Sequence, residues 1–253
     1  MKRAAHRTLR MVIESYDREP GVFMIRAISV LFIVISVVFI RSFWAPDTLL
    51  ILLLLIGLVF GKVRAFAGRF VPFLGLLYVY DSMRSIAPQL NTRVNWWPMI
   101  DADRWLGGGQ IVSSRLQQLL WHGHVQWYDF YFYVLYTLHF LTPVIIGLIL
   151  WRWRPKLYWP FVWAIISASF LAFLVYVAFP AAPPWMAADA QYVTEPFRHI
   201  SGDIWAAVGL TNFSVLYPQL SPNPVAAVPS LHSAYPMIAA IFLIYAFGWR
   251  RAW

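Results

Sequence analysis

His232 stands in "VPSLHSAYP" (residues 228–236), Arg84 and Asp81 in "YVYDSMR" (78–84), and Ser230 two positions before the histidine. A histidine can give a proton to a leaving oxygen or attack phosphorus. An arginine can grip a phosphate through two parallel hydrogen bonds. A serine-bearing turn that enters a helix aims its first amides at an anion. Together these residue types point to phosphate chemistry. The chain contains no cysteine, which excludes thiol nucleophiles, disulfides and zinc–thiolate sites. Its "GGG" at 107–109 is not followed by Lys-Ser/Thr, so it is not a nucleotide-binding loop. His122 and His124 form "HGH" without a third ligand in a recognisable pattern, so no metal site is expected. Each signal also has a plainer reading. Arg84 could snorkel to the headgroups with Asp81 as its partner, and His232 could be an interfacial helix cap. Ser230 and Ser233 could be ordinary caps, and "FPAAPPW" (179–185) a helix stop with Trp185 at the interface.

The elements that must carry these residues are apolar. Of the 253 residues, 60% are hydrophobic and 12% charged, where soluble domains carry roughly 25% charged residues. Six stretches approach the length needed to cross a bilayer, over 22–40, 45–61, 70–87, 127–150, 158–179 and 229–249. With the N-terminus inside, fourteen Lys and Arg fall on inner segments and five on outer ones. That asymmetry predicts an N-in, C-in topology, and it makes the net charge of +9 an orientation signal rather than a nucleic-acid footprint. Arg84 and Asp81 then lie in the outer half of the third span, "FPAAPPW" ends the fifth outside, and His232 opens the sixth. All converge on the outer face.

The fourth span carries a polar stripe. Asp129, Tyr133, Tyr136 and His139 are spaced 4, 3 and 3 and share one side of an ideal helix. A continuous helix puts His139 about 18 Å below Trp127, near mid-bilayer. At that depth a structural hydrogen bond is the first expectation and a cavity-lining role the second. Asp129 is shallow enough to reach the outer site.

These stretches resemble a known family. "VPSLHSAYP" is similar to the second signature of the type 2 phosphatidic acid phosphatase superfamily, in the form found in its inositol phosphorylceramide synthase-like branch. "YDSMR", "YTLHFLTP" and "FPAAPPW" are similar to stretches that precede it. The resemblance implies a membrane-embedded helical bundle that cleaves or exchanges phosphoesters without metal or other cofactor. By it, His232 is the general acid, Ser230 and its backbone are phosphate ligands, and Arg84 matches the first signature's arginine. Leu77 stands where the family has a lysine, and Ser85 where it has a proline. The family's nucleophilic histidine and its aspartate lie one hairpin further on. The 21 residues after His232 contain neither His nor Asp, so the core is expected to be incomplete at its C-terminus.

The expected protein is therefore all-α, a polytopic membrane bundle of about six helices forming one domain over 1–253. A basic cytoplasmic segment occupies 1–21 and a phosphatase-like core 70–249. It is expected in a bacterial plasma membrane, acting on a phospholipid or phosphoinositol-type lipid at the extracytoplasmic face, as hydrolase or headgroup transferase. Its partners are membrane lipids and a lipid phosphate substrate, not nucleic acid. The rival is a non-enzymatic lipid-phosphate binder or transporter, or a silent relative. Candidate site residues are His232, Arg84 and Ser230, with Asp81, Asp129 and His139 in support.

Overall fold

The computed structural model describes residues 63–139, 141–198, 200–209 and 223–249, together with 27, 28 and 30. The expected basic segment and the spans over 22–40 and 45–61 lie outside these residues, apart from those three positions. The chain divides into two compact units, 1–78 and 79–253. The described helices are α1 (Val63–Leu90), α2 (Trp97–Leu106), α3 (Val112–Leu120), α4 (Trp127–Leu138), α5 (Thr142–Trp153), α6 (Pro155–Ala178), α7 (Pro184–Asp189), α8 (Ile200–Ala207) and α9 (Leu231–Phe247). Among the described residues no strand forms, as the all-α expectation required.

In the first unit, Phe66, Phe70, Phe73 and Leu74 are buried at helical spacing on α1, and the rings of Phe66 and Phe70 meet at a 30° tilt with centroids 5.6 Å apart. The second unit is built on α5, α6 and α9, which pack on one another. One side of α6 is buried through Tyr158, Phe161, Ile165, Ser169, Ala172 and Tyr176, a 3–4 spacing that keeps one face inward. Gly147 on α5 and Ala239 on α9 are among their buried residues. Among the described residues, α6 alone is long and apolar enough to cross a membrane, and α4 with α5 qualifies as one bent span. At 17 residues α9 is apolar but shorter. At 28 residues α1 is long enough, but it carries Arg64, Arg69, Asp81 and Arg84.

The expected continuous helix over 127–150 is instead two, bent by 62°. Pro143 explains the break. It has no amide hydrogen for the carbonyl four residues back, which is that of His139, and its ring crowds that carbonyl. The helix therefore ends at Leu138, and α5 restarts with its proline near the N-terminus, where a missing amide costs least.

Three extended segments meet beside the bundle. Asn95, Ala181 and Ala226 form successive parallel bridges, with Asn95 N donating to Pro180 O (2.8 Å), Ala182 N to Asn95 O (3.0 Å) and Ala181 N to Val225 O (2.8 Å). "FPAAPPW" does stop α6, but its middle is the central rung of this clamp before α7 begins. A small outer layer adjoins it. Ile100, Ile111, Ala187 and Val193 form its core, Trp96 stacks on Tyr192 at 4.6 Å, and Arg104 forks onto Glu195 at 2.8 Å. The "GGG" turn links α2 to α3. Gly108 and Gly109 take φ of 65° and 98°, and a Cβ on Gly107 would fall 2.0 Å from Gln110 O. Those glycines serve turn geometry.

Candidate active site

His232 is the second residue of α9, delivered there by the clamp and by Tyr176, whose hydroxyl donates to Pro229 O at 2.8 Å. One turn on, the Tyr235 hydroxyl meets Ser169 Oγ on α6 at 2.7 Å, so the first two turns of α9 are pinned to α6. The His232 ring stacks on Tyr136 with centroids 4.1 Å apart and a 14° interplanar angle. His139 touches it from another side, with centroids 3.6 Å apart. The bend at Pro143 is what brings the end of α4, and with it His139, against α9. His139 is buried, and its Nδ1 lies 2.8 Å from Tyr136 O. A carbonyl only accepts, so Nδ1 carries a proton.

Arg84 supplies the charge. Its guanidinium is an electrostatic neighbour of His232, His139, Tyr80, Tyr176 and Tyr235. Nη2 donates to Asp81 Oδ1 at 2.9 Å, and the Arg84 side chain is 17% exposed against 45% for Asp81. The buried Nε has no hydrogen-bond acceptor among the described residues. A cation so enclosed, with donor capacity in hand beside two imidazoles, fits an anion better than it fits open water.

His232, His139, Arg84 and Asp81 thus come together. Asp129 does not join them. It closes a capping box at the start of α4, accepting from Gln126 N at 2.8 Å. Ser230 is the N-cap of α9, and its carbonyl accepts from Ala234 N at 3.0 Å, but its exposed hydroxyl makes no cap bond. In "HGH", His122 meets Leu120 O and Tyr128, and His124 meets Gln126.

Sequence reasoning did not set His139 against His232. It also missed Tyr176 and Tyr235 and gave Tyr136 no part in the site. Two signals were available. Both histidines begin an H-x-x-x-P stretch, "HFLTP" and "HSAYP", so each has a carbonyl that the following proline cannot serve. Ser169 and Tyr176 lie seven apart, two turns along one side of an apolar helix. Below the site, Thr142, Ile146, Pro236, Ala239, Ala240 and Leu243 line an open apolar groove between α5 and α9. Pro236, Ala239 and Leu243 follow His232 at intervals of 4, 7 and 11, along the same side of α9.

The chain belongs to the PAP2 superfamily, whose family model matches residues 97–253. Asp81 and Arg84 precede the matched range. Among curated relatives, the chain is similar to phosphoinositol dihydroceramide synthase of Bacteroides thetaiotaomicron, 33% identical over 110 residues, which is 41% of this chain and 35% of the relative. It is also similar to the inositol phosphorylceramide synthase catalytic subunit aur1 of Schizosaccharomyces pombe, 33% identical over 119 residues, 44% of this chain and 28% of the relative. The chain thus covers about a third of the length of the curated relatives it matches. No solved structure matches it.

Proposed function

We propose that this protein is a membrane-embedded enzyme that breaks a phosphoester in a lipid and passes the phosphoryl group to water or to an alcohol. The observation that carries this reading is the contact of His232 with His139 beside the enclosed guanidinium of Arg84. In the proposed reaction, Arg84 and the first amides of α9 hold the non-bridging oxygens, with Ser230 as a further donor. The bond between phosphorus and the leaving oxygen breaks, and His232 delivers a proton to that oxygen. Asp81 orients Arg84, and Tyr136 and His139 hold the ring of His232. By family resemblance the attacking group is a histidine that does not occur among residues 233–253. His139 is the second imidazole at the site.

The names of both relatives combine phosphoinositol with a ceramide, which favours headgroup transfer between lipids over simple hydrolysis. The groove between α5 and α9 starts one turn past His232 and suits an acyl chain. Outward-facing Leu171 and Leu174 on α6, and Met237 and Ile241 on α9, support a lipid environment for the bundle. The outer-face placement of the site rests on the distribution of basic residues, and a bacterial plasma membrane remains part of the proposal.

The test is turnover by the purified full chain in phospholipid vesicles, offered phosphatidylinositol with a ceramide, or phosphatidic acid with water. Headgroup transfer or phosphate release is expected, and His232→Ala should lower it by about 10²–10⁴. Saturable lipid-phosphate binding without turnover, unchanged by His232→Ala, would instead support the non-enzymatic binder.

A further inference from the structure

α3 is built inside out. On a helix of 3.6 residues per turn, Ser114, Gln117 and Gln118 fall within an arc of about 100°, and Val112, Leu116, Leu119 and Leu120 within a similar arc on the opposite side. A helix on a water-soluble surface turns its apolar side inward. Here Ser114 and Gln117 of the polar side bond to the rest of the protein, while Gln118 is exposed. Ser114 is buried and donates to Pro196 O at 3.0 Å, and Gln118 Nε2 reaches Ser114 Oγ at 3.3 Å. Gln117 exchanges two hydrogen bonds with the backbone of Arg198, at 2.9 and 3.1 Å. The apolar side is left out, with Leu116 50% and Leu119 66% exposed. Leu106, at the end of α2, shares an open groove with Val112, Leu116 and Leu119, and Arg115 borders it. Trp105, beside Leu106, is 81% exposed.

We infer that α2 and α3 form an interfacial hairpin that lies in the headgroup region of the bilayer, with Leu106, Leu116 and Leu119 dipped into the acyl boundary and Arg115 at the lipid phosphates. The inference rests on the membrane reading of the bundle. Three observations select lipid over a protein partner. The patch carries the composition of membrane-surface helices, aliphatic below with Trp and Arg at the edge. The segment 121–126 ties α3 to Trp127, itself 76% exposed and the first residue of the bent span, so α3 stays within about 20 Å of the bilayer surface. Arg115 has no ion pair among the described residues and is exposed, so it is available to a phosphate. The hydrogen bonds to Pro196 and Arg198 fasten this hairpin to the segment that carries Glu195. A bilayer that holds α3 thereby holds the outer layer as well.

The chain has no cysteine, so single cysteines at Leu116, Leu119, Gln118 and Leu171 can each carry a bimane label in the full protein in phosphatidylcholine–phosphatidylglycerol vesicles. Leu171, 62% exposed on α6, reports on the bundle itself. Labels at Leu116 and Leu119 should be quenched by nitroxide placed near the headgroup, roughly twofold or more above the label at Gln118. The label at Leu171 should be quenched by nitroxide deep in the acyl chains. If Leu171 is quenched while Leu116 and Leu119 behave like Gln118, the hairpin proposal is overturned and the membrane reading stands. If Leu171 is not quenched either, both fail. Shielding of Leu116 from every lipid quencher, with excimers from pyrene at that position, would overturn the proposal in favour of a second copy of the chain.

Discussion

A charge enclosed among rings and hydroxyls is sensitive to the shape of its headgroup, and Arg84 is such a charge. If its guanidinium grips a lipid phosphate, Arg84→Lys should weaken lipid-phosphate binding about tenfold or more, because a point charge does not reproduce the planar fork. If Arg84 only snorkels, lysine should replace it nearly freely, and equilibrium binding at matched membrane abundance separates the two. At His139 the two ring nitrogens can be tested apart. Asparagine can still donate to the Tyr136 carbonyl but has nothing in place of Nε2. His139→Asn should lower turnover about a hundredfold if Nε2 takes part in catalysis, and leave it within a few-fold if the Nδ1 bond is the whole role.

One proline decides how α4 and α5 meet. Pro143→Ala restores an amide four residues after His139, so the helix is expected to run through and draw His139 away from His232. Turnover of the lipid phosphate should fall with it, while α6 is undisturbed. In the outer layer, Gly107→Ala would push a Cβ onto the Gln110 carbonyl, and a loss of about 1–3 kcal/mol is expected at that turn. The same layer should loosen in acid. The Arg104 guanidinium, through its hydrogen bonds, holds the Glu195 carboxyl below the usual carboxylate range. A depressed folded-state value means the stabilisation is present above the unfolded value near 4.3 and is lost as pH falls below it. For a partly exposed pair the effect is about 1 kcal/mol. Asp103, whose carboxyl burial pushes up, works in the opposite sense. Hydrogen exchange of residues 193–198 should therefore accelerate below about pH 4, and Arg104→Gln should remove most of that dependence.

At the scale of the whole molecule, the basic residues predict which side of the membrane sees the site. Cysteines placed singly at exposed Thr92 and Thr194 should react with an impermeant thiol reagent in intact cells, and one at Lys156 should not. The reverse pattern would put the site on the cytoplasmic side and exclude an extracytoplasmic reaction. The proposed hairpin of α2 and α3 predicts the same outer side, because it is joined to Trp127 through only six residues, 121–126.

The apolar runs of α6 and α9 were legible in sequence because a helix that is hydrophobic all round needs no partner to be recognised. The second signature was legible because "VPSLHSAYP" is local. Arg84 and Asp81 were legible as a pair because three residues on a helix are neighbours. The meeting of His139 with His232 was not legible. It depends on a 62° bend whose direction is set by how α5 and α9 pack, and no spacing in the chain records that. Nor could the sequence assign Asp129, whose carboxylate is spent on a capping box, or free the Ser230 hydroxyl from one. The chain fixes which groups are present and in what helical phase. Only the tertiary structure decides which of them share a site, because the two histidines are 93 positions apart and packing alone closes that distance.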